Sequence, residues 1–329
     1  MTPQTRLEHI AQMAGDALAL WNLPPGCTPH LLNVSENTTF LIQNTSGFKS
    51  VLRVHRQGYH SLDAILSELA WLDALERGGA VAVPKVIPGQ DGNLVMQANC
   101  PKLPGVHNMV MFEFIEGPTP DLDAELGTSF EVLGGLAARC HDHALHWTRP
   151  ATFERLTWDA ETVFGDKSTW GDWRDAPGVD PEARGILDEV EQRIVQRLEA
   201  YGKAPERFNL IHADMRLANL IESPNGTRLI DFDDCGFGWL IYDFAAAVSF
   251  FEDDPRVPDL KAAWLKGYRE VRDLAPEDEV EMDTMVMLRR MALLAWIGSH
   301  SDAPEPQALA GHFAAGTVAL GRRFLDMTR

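Results

Sequence analysis

The most informative stretch of this chain reads His212-Ala213-Asp214-Met215-Arg216-Leu217-Ala218-Asn219, and twelve residues beyond its asparagine comes Asp231-Phe232-Asp233-Asp234. Residues 217–221 and 228–232 are short apolar runs of the kind found in strands. The Asn225-Gly226 pair between them favours a tight hairpin turn. The stretch therefore predicts two paired strands with polar side chains gathered at their open end.

The register of this hairpin decides which polar groups meet. A turn centred on Asn225-Gly226 pairs Leu220 with Asp231. It also pairs Asn219 with Phe232, so the side chains of Asn219 and Asp231 are expected side by side. An amide oxygen and a carboxylate are hard ligands, which Mg²⁺ takes when it accompanies a nucleoside triphosphate. We therefore predict Asn219 and Asp231 as Mg²⁺ ligands.

Asp214 lies five residues before Asn219, on the loop that enters the hairpin. A carboxylate there is placed to accept the proton of a substrate hydroxyl. The catalytic loop of kinases has this layout: an aspartate base is followed by a metal-binding asparagine and, after a hairpin, by a metal-binding aspartate. The pattern predicts an enzyme that uses ATP and Mg²⁺, with Asp214 as catalytic base and His212 as scaffolding of the loop.

Two other kinds of site match part of this stretch. Asp231-Phe232-Asp233 fits the first half of the phosphatase motif Asp-x-Asp-x-Thr, but Cys235 stands where the threonine belongs. A calcium-binding EF-hand loop fails as well, because no Gly-x₅-Glu completes it. Both alternatives are weak.

The composition is that of an ordinary globular protein, with 45% hydrophobic and 23% charged residues. At 329 residues the chain has room for two domains. Its 29 basic and 48 acidic residues give a formal net charge of −19, and such a field repels nucleic acid and anionic membrane surfaces. We therefore expect neither as a partner, while a cationic partner and plain solubility explain the charge equally well. The oligomeric state stays open.

The sequence also bears on compartment. The four cysteines lie far apart without a Cys-x-x-Cys motif, so neither a disulfide framework nor a zinc site is indicated. No eighteen apolar residues run together, and the first twenty residues carry Glu8 and Asp16 without a basic-then-apolar pattern. We expect no membrane span, no secretory signal and a cytoplasmic location.

The pattern along the chain predicts an α+β fold with two lobes, at residues 1–116 and 117–329. For the first lobe the pattern predicts helices at 5–21 and 62–77 and strands at 31–34, 38–42, 50–54, 83–87, 93–97 and 109–114. Glu116-Gly117-Pro118-Thr119-Pro120 breaks the pattern and is interpreted as a hinge.

The second lobe is predicted to be mainly helical. Thr128-Ser129-Phe130-Glu131 has capping-box spacing and opens a predicted helix that ends near residue 144. Residues 147–182 hold four tryptophans among Gly, Asp and Pro, and are interpreted as an irregular segment long enough for a lid. Further helices are predicted near 182–200, from 243 onwards, and at 258–272, 277–298 and 305–326.

With these motifs the chain resembles the aminoglycoside phosphotransferase and choline kinase-like group of small-molecule kinases, which have the protein-kinase fold. The resemblance is specific over residues 209–247 and spans most of the chain. It implies that Asp214 is the catalytic base, that Asn219 and Asp231 hold Mg²⁺, and that Asp233, with Asp234 beside it, makes a further metal or substrate contact. It also implies that Asp243 supports the catalytic loop, although a helix N-cap accounts for that aspartate equally well.

The first lobe departs from protein kinases in two places. No Gly-x-Gly-x-x-Gly precedes the second strand, and the turn around Asn37 is expected to offer its amides to the nucleotide phosphates instead. Arg53 replaces the usual lysine of the third strand, with Glu68 as its expected partner on the helix. A surface arginine and a surface glutamate are the plainer alternative. The residues from Phe112 to Ile115, with Glu113 among them, are expected to bind adenine.

The resemblance further implies transfer of the γ-phosphoryl group of ATP to a hydroxyl. Substrates of the group carry an amine beside the hydroxyl, so a small cationic alcohol is expected. Glu252, Asp253 and Asp254 are candidates for an ammonium site, and a solvated acidic loop is the alternative. Trp239, Trp264 and the tryptophans of residues 158–173 are candidates for an aromatic box that binds a cation, although tryptophans are used more commonly in core packing.

Two other functions remain open at this point. One is a Ser/Thr protein kinase of the same fold, against which the lack of an Ala-Pro-Glu motif argues. The other is a catalytically silent nucleotide-binding module, which the intact Asp214, Asn219 and Asp231 disfavour.

Overall fold

The computed structural model describes residues 2–121, 125–223, 226–301 and 303–329. The chain divides into two compact units. The first comprises Met1–Gly117, Arg149–Glu154 and Ser223–Arg228, and the second comprises Pro118–Thr148, Arg155–Glu222 and Leu229–Arg329. Two short segments beyond the predicted hinge therefore belong to the first unit.

The first unit is built on an antiparallel sheet. Its strands are β1 (Thr28–Val34), β2 (Thr38–Gln43), β3 (Lys49–Val54), β4 (Val86–Ile87), β5 (Met96–Asn99) and β6 (Val106–Glu113). Their order is β1-β2-β3-β6-β4, with β5 also paired to β6. Short turns join the first three strands, which makes them neighbours in the sheet. In this register Arg53 lies opposite Val110 of β6.

Two helices complete the first unit. Helix α1 (Pro3–Ala17) contributes Ile10, Met13 and Ala14 to a core shared with Phe40 and Leu52 of the sheet. Helix α2 (Leu62–Arg77) begins and ends where its apolar spacing predicts. The Ser61 hydroxyl caps it by accepting from the Ala64 amide at 3.0 Å.

The second unit is mainly helical, which confirms the predicted α+β class. Its helices are α3 (Gly127–His146), α4 (Ala160–Phe164), α5 (Pro181–Tyr201), α6 (Tyr242–Ala247), α7 (Val257–Arg269), α8 (Pro276–Ser299), α9 (Pro304–Leu309) and α10 (Phe313–Met327). Its strands β7 (Leu156–Trp158) and β8 (Phe208–Ile211) flank β11 (Gly236–Trp239). Strands β9 (Leu220–Ser223) and β10 (Gly226–Leu229) form the two-stranded hairpin.

Helices α3 and α7 approach each other closely at two glycines. A Cβ atom added to Gly134 would lie 1.9 Å from the carbonyl oxygen of Trp264. One added to Gly267 would lie 1.8 Å from that of Glu131. Backbone blocks both positions, so only glycine allows the two helices to pack at this distance. The approach places His141 of α3 beside Tyr268 of α7, within hydrogen-bond reach.

Three details of the second unit differ from the sequence predictions. Helix α3 begins at Gly127 after an N-cap without a side-chain hydrogen bond, so the predicted capping box at residues 128–131 is wrong. The last predicted helix, 305–326, is divided into α9 and α10. Within residues 147–182 the chain forms β7, α4 and a short 3₁₀ turn at Trp173–Asp175, where an irregular segment was predicted.

Within the described ranges, no helix has the length and apolar character needed to cross a membrane.

Candidate active site

Asp243, the second residue of α6, fixes the backbone of the catalytic loop. Its carboxylate accepts hydrogen bonds from the amides of His212 at 3.2 Å and Ala213 at 2.7 Å. Ala213 has a φ of 65°, a left-handed conformation that costs energy in a residue with a Cβ. The two bonds hold this turn directly before Asp214. Helix α6 has no side-chain cap, so the N-cap alternative for Asp243 is wrong.

A buried chain of hydrogen bonds holds Asp243 in turn. Arg272 donates from Nη1 to the Tyr268 hydroxyl at 2.9 Å, so that hydroxyl directs its own proton to Nδ1 of His141, 3.0 Å away. The other ring nitrogen, Nε2, then donates to Asp243 at 2.9 Å. Burial lowers the pKa of His141, although the bond to Asp243 opposes this effect. The ring is neutral and serves as a structural link.

His212 is scaffolding of the loop, as predicted. Its Nδ1 accepts the amide hydrogen of Asp214 at 3.2 Å, so Nε2 carries the proton and donates to the carbonyl of Ile230 at 3.1 Å. Its ring also packs against Phe232, with centroids 4.4 Å apart. The histidine thus ties the catalytic loop to the strand that precedes Asp231.

The carboxylate of Asp214 is held at both oxygens. Oδ2 accepts from Nδ2 of Asn219 at 2.9 Å, and Oδ1 accepts from Nη2 of Arg289 at 2.8 Å. Nε of Arg216 lies 3.2 and 3.3 Å from the two oxygens. Burial favours the protonated acid, but the charges of Arg216 and Arg289 outweigh it and keep the pKa of Asp214 below its usual value. The group is a carboxylate at neutral pH, ready to orient a hydroxyl.

Asn219 ends a 3₁₀ turn, Leu217–Asn219, that leads into β9. Its carbonyl accepts from the Ile230 amide at 2.9 Å, so Asn219 pairs with Ile230 and the predicted partner Phe232 is wrong by two positions. The predicted turn residue Asn225 lies outside the described residues. Nδ2 donates to both the carbonyl and the carboxylate of Asp214, so Oδ1 is the atom left to meet a cation. The donor set therefore fits Mg²⁺.

Asp231 follows the hairpin with a φ of 61° and an exposed side chain. Asp233 is buried and Asp234 half-buried, and their carbonyls accept from Arg155 and from Nε1 of Trp158. In the part of the chain that the structure describes, no three His, Cys, Asp or Glu side chains gather as a metal cluster. Mg²⁺ usually completes its coordination with phosphate and water oxygens, so one amide and one carboxylate would be enough for it. Asn219 and Asp231 as its ligands stay a prediction.

Sequence reasoning missed Arg289, which reaches Asp214 from helix α8. A signal was present, since Arg289 and Arg290 interrupt an apolar run from Met285 to Ile297, all of which the structure buries. A charged pair inside a buried helix requires partners elsewhere in the fold. The sequence alone did not identify which carboxylates those partners are.

The candidate ammonium ligand Glu252 requires a correction. Its side chain has no exposed surface, and its carboxylate lies 2.5 Å from Nη1 of Arg290. Burial raises the pKa of Glu252 in spite of that neighbour. Asp254 is bound by Arg256 at 2.9 Å. Glu252 is therefore a partner of the protein's own arginine, whereas Asp253 is exposed, as the alternative of a solvated loop implies.

Three of the four tryptophans of residues 147–182 are part of the core. Trp158, Trp170 and Trp173 are buried, whereas Trp147 is half-buried. Trp170 packs on Trp158 with ring centroids 4.8 Å apart. Nε1 of Trp173 donates to Glu191 of α5 at 2.7 Å. Side chains fixed in this way belong to the interior of the second unit, so the lid interpretation is not supported.

In the first unit, Arg53 meets the helix residue that the sequence proposed. Its Nη2 lies 2.6 and 2.7 Å from the two carboxylate oxygens of Glu68. Both side chains are buried, so the alternative of two surface charges is wrong. The guanidinium also lies 5.1 Å from the Phe112 ring centroid. Contact with nucleotide phosphates stays a prediction.

The other predicted nucleotide contacts have defined local roles. Oδ1 of Asn37 accepts from the Arg56 amide at 3.1 Å, so this side chain ties the turn to the chain beyond β3. The amide of Glu113 already donates to the Lys85 carbonyl at 2.8 Å. Binding of adenine by the backbone at Glu113 and Ile115 stays a prediction.

Comparison with known proteins identifies the family of this chain and several proteins that are similar to it. Residues 31–274 match the phosphotransferase enzyme family. Amicoumacin kinase from Bacillus subtilis (strain 168) is 25% identical over 280 residues, 79% of either chain.

Solved structures show the same likeness. A microcompartment-associated aminopropanol kinase is 42% identical, with a TM-score of 0.89 over 96% of this chain and 98% of the other. An amicoumacin kinase solved with AMP-PNP and Ca²⁺ has a TM-score of 0.78 at 20% identity, over 97% and 96% of the two chains. The predicted protein-kinase-like fold is thereby confirmed.

Proposed function

We propose that the acceptor of this enzyme bears an amine beside its hydroxyl. The premise is that the chain belongs to the phosphotransferase enzyme family and is an ATP- and metal-dependent kinase of small molecules. The similar aminopropanol kinase supports this class of acceptor. A small acceptor is also favoured over a protein substrate, because the relatives are small-molecule kinases. The formal charge of −19 suits a cationic ligand.

One observation carries the catalytic assignment. The Asp214 carboxylate lies 2.9 Å from the amide nitrogen of Asn219, so the candidate base and the candidate metal ligand hold each other in place. Asp214 receives and orients the acceptor hydroxyl, and takes its proton late in the transfer. An aspartate with a lowered pKa is a weak base, so its main contribution is positioning.

The remaining residues act on the nucleotide. Oδ1 of Asn219 and the Asp231 carboxylate would hold the metal ion, with Asp233 and Asp234 nearby in sequence as further candidates. When bound, Mg²⁺ offsets the negative charge of the β- and γ-phosphates. In the first unit Arg53 contacts phosphate oxygens while Glu68 fixes its orientation. The backbone at Glu113 and Ile115 and the turn at Asn37 bind the rest of the nucleotide.

The acceptor class is tested by turnover on matched alcohols. We expect 1-amino-2-propanol to be phosphorylated, and we expect 1,2-propanediol, which keeps the size and the hydroxyl but loses the charge, to be a poor acceptor. N-acetylation of the amine provides a second neutral control. Product formation is followed by ³¹P NMR alongside ADP release. A neutral diol that is turned over as well as the amine would remove the cationic acceptor and leave the kinase assignment standing.

We also propose a cytoplasmic location. ATP is abundant there, and none of the four cysteines, all of which the structure describes, forms a disulfide, as a reducing compartment allows. Fractionation of cells that produce the protein tests this location.

A further inference from the structure

Arg289 and Arg290 are neighbours in α8 and form two different buried ion pairs. Nη2 of Arg289 lies 2.8 Å from Oδ1 of Asp214, and Nη1 of Arg290 lies 2.5 Å from Oε2 of Glu252. The exposed fractions of the two arginine side chains are 2% and 5%. Burying a guanidinium is costly without a matched partner. The two arginines therefore share a helix and an environment, but only Arg289 reaches the catalytic loop.

Arg289 is itself held rigidly. Its Nε donates to the hydroxyl of Ser249 at 3.1 Å, in addition to the bond from Nη2 to Asp214. The guanidinium lies 5.1 Å from the ring centroid of Trp170 and 5.9 Å from that of Tyr242. A planar cation fixed by a hydrogen bond and two aromatic neighbours has little freedom left to lose. Its position is set before any ligand binds.

Arg216, the other cation at Asp214, is held less firmly. Its side chain is 27% exposed, and its Nη1 forms a second ion pair with Oε1 of Glu305 in α9, at 3.3 Å. Asp214 thus has one rigid cation at Oδ1 and the Asn219 amide at Oδ2. Two anchors at opposite oxygens prevent the carboxylate from rotating about its Cβ–Cγ bond. Each oxygen still keeps acceptor capacity for a hydroxyl.

We propose that Arg289 is a positioning residue for phosphoryl transfer, which fixes the Asp214 carboxylate in the orientation that receives the acceptor hydroxyl. The inference rests on the proposed function, in which Asp214 is the base. Its physical basis is that reacting groups must meet within a few tenths of an ångström, and that a displacement of about 1 Å can slow a reaction by about 10²-fold. Arg289 does not touch the substrate in this account.

The neighbouring arginine provides a matched control. Arg289→Met and Arg290→Met each remove a buried cation of α8 and leave a carboxylate behind, so both are expected to lower the melting temperature. Arg289→Met lowers kcat by about 10²-fold, while the KM of the acceptor and the Kd of Mg·AMP-PNP stay within about threefold. Arg290→Met keeps kcat within about threefold of the wild type. Arg289→Lys keeps the charge but loses the planar fork, so its kcat falls between these values.

A double variant separates positioning from general damage. If Arg289 acts through Asp214, then adding Arg289→Met to Asp214→Asn slows turnover by less than about twofold, because the orientation of a disabled base no longer matters. Independent structural damage would instead multiply the two losses. If Arg289→Met does not fold, the same comparison is made with Arg289→Lys.

The inference is overturned if the Arg289 and Arg290 variants lose kcat equally, or if the losses in the double variant multiply. The acceptor in these assays is whichever alcohol the wild type phosphorylates, so a wrong acceptor class leaves the comparison intact. Full turnover by Asp214→Asn would overturn both the base and the positioning role. An inactive Asp214→Asn beside a fully active Arg289→Met would overturn the role of Arg289 alone.

Discussion

The first unit holds Arg53 against Glu68 and the second holds Arg289 against Asp214, each with a guanidinium nitrogen 2.6–2.8 Å from a carboxylate oxygen. Both pairs join a guanidinium to a carboxylate, but they differ in which of the two partners is more exposed to solvent. Arg53 is the more exposed member of its pair, at 7% against 1%, whereas Asp214 is the more exposed member of the other, at 13% against 2%. In both pairs, the member that reaches solvent is the one proposed to meet a ligand.

This comparison separates two uses of a buried ion pair. The more deeply buried partner acts as a fixed support, and burial makes its geometry rigid. The other partner keeps part of its hydrogen-bonding capacity for a ligand. Because removal of either partner leaves a buried charge uncompensated, stability alone cannot distinguish support from function. Measurements of turnover and binding can.

We expect the largest effect from replacing Asp214, the proposed catalytic base. Asp214→Asn keeps the shape of the side chain but removes the proton acceptor, so kcat should fall by about 10²- to 10⁴-fold. The Kd of Mg·AMP-PNP, measured by calorimetry, should change little. If binding collapses while turnover per bound complex survives, Asp214 belongs to the nucleotide site and the comparison between the two pairs fails.

Glu68→Gln tests the supporting carboxylate of the first unit. It leaves the Arg53 charge uncompensated, and the free energy of unfolding in urea should fall by about 3–5 kcal/mol. The double variant Arg53→Met with Glu68→Met removes both charges and should recover most of that stability, while ATP binding stays weak. Normal ATP affinity in the double variant would show that Arg53 is structural only.

Asp231→Ala tests the proposed metal ligand Asp231, whose side chain is exposed. We expect the affinity for AMP-PNP in the presence of Mg²⁺ to fall by about 10²-fold, because the substitution removes one of the two proposed protein ligands. Affinity measured in EDTA should be unchanged, and this serves as the internal control. An equal loss in both conditions would assign Asp231 to the structure of the loop.

A smaller effect is expected from pH, through the buried pair of His141 and Asp243. Burial lowers the pKa of His141, so the folded state keeps the ring neutral where the unfolded chain binds a proton. Stability is therefore complete above about pH 6.5 and falls by about 1 kcal/mol per pH unit as the pH drops below that value. Urea titrations from pH 7 to 5 should show this slope.

The matched variants are His141→Gln and His146→Gln. The first should reduce the dependence of stability on pH, because it removes one titrating ring; burial lowers the pKa of His107 as well, so part of the slope remains. The second should leave the slope unchanged, because the side chain of His146 is 76% exposed. A slope of undiminished size in His141→Gln would assign the effect to another group.

Local spacing was enough to predict part of this arrangement. Asp214 and Asn219 are five residues apart, so a single loop brings them together. Arg53 and Glu68 lie on a strand and the helix that follows it, where sequence order restricts the geometry. The hairpin register was wrong by two positions, since Asn219 pairs with Ile230, and its turn was placed from one dipeptide alone.

Contacts between distant segments could not be predicted. Arg289 meets Asp214 across 75 residues, and Arg290 meets Glu252 across 38. The predictions for Glu252 and for the tryptophans failed for the same reason, because their partners lie on elements that the sequence does not place. Charge and aromatic content alone can suggest a ligand site. The packing then shows which of these side chains already have partners within the protein.

The most direct test of the account is a crystal structure with AMP-PNP, Mg²⁺ and 1-amino-2-propanol bound together. The account predicts the acceptor hydroxyl about 2.6–3.2 Å from the Asp214 carboxylate, which still accepts from Arg289, and a metal ion bound by Oδ1 of Asn219 and by Asp231. An acceptor hydroxyl bound away from Asp214, or a metal ion held by other residues, would contradict it.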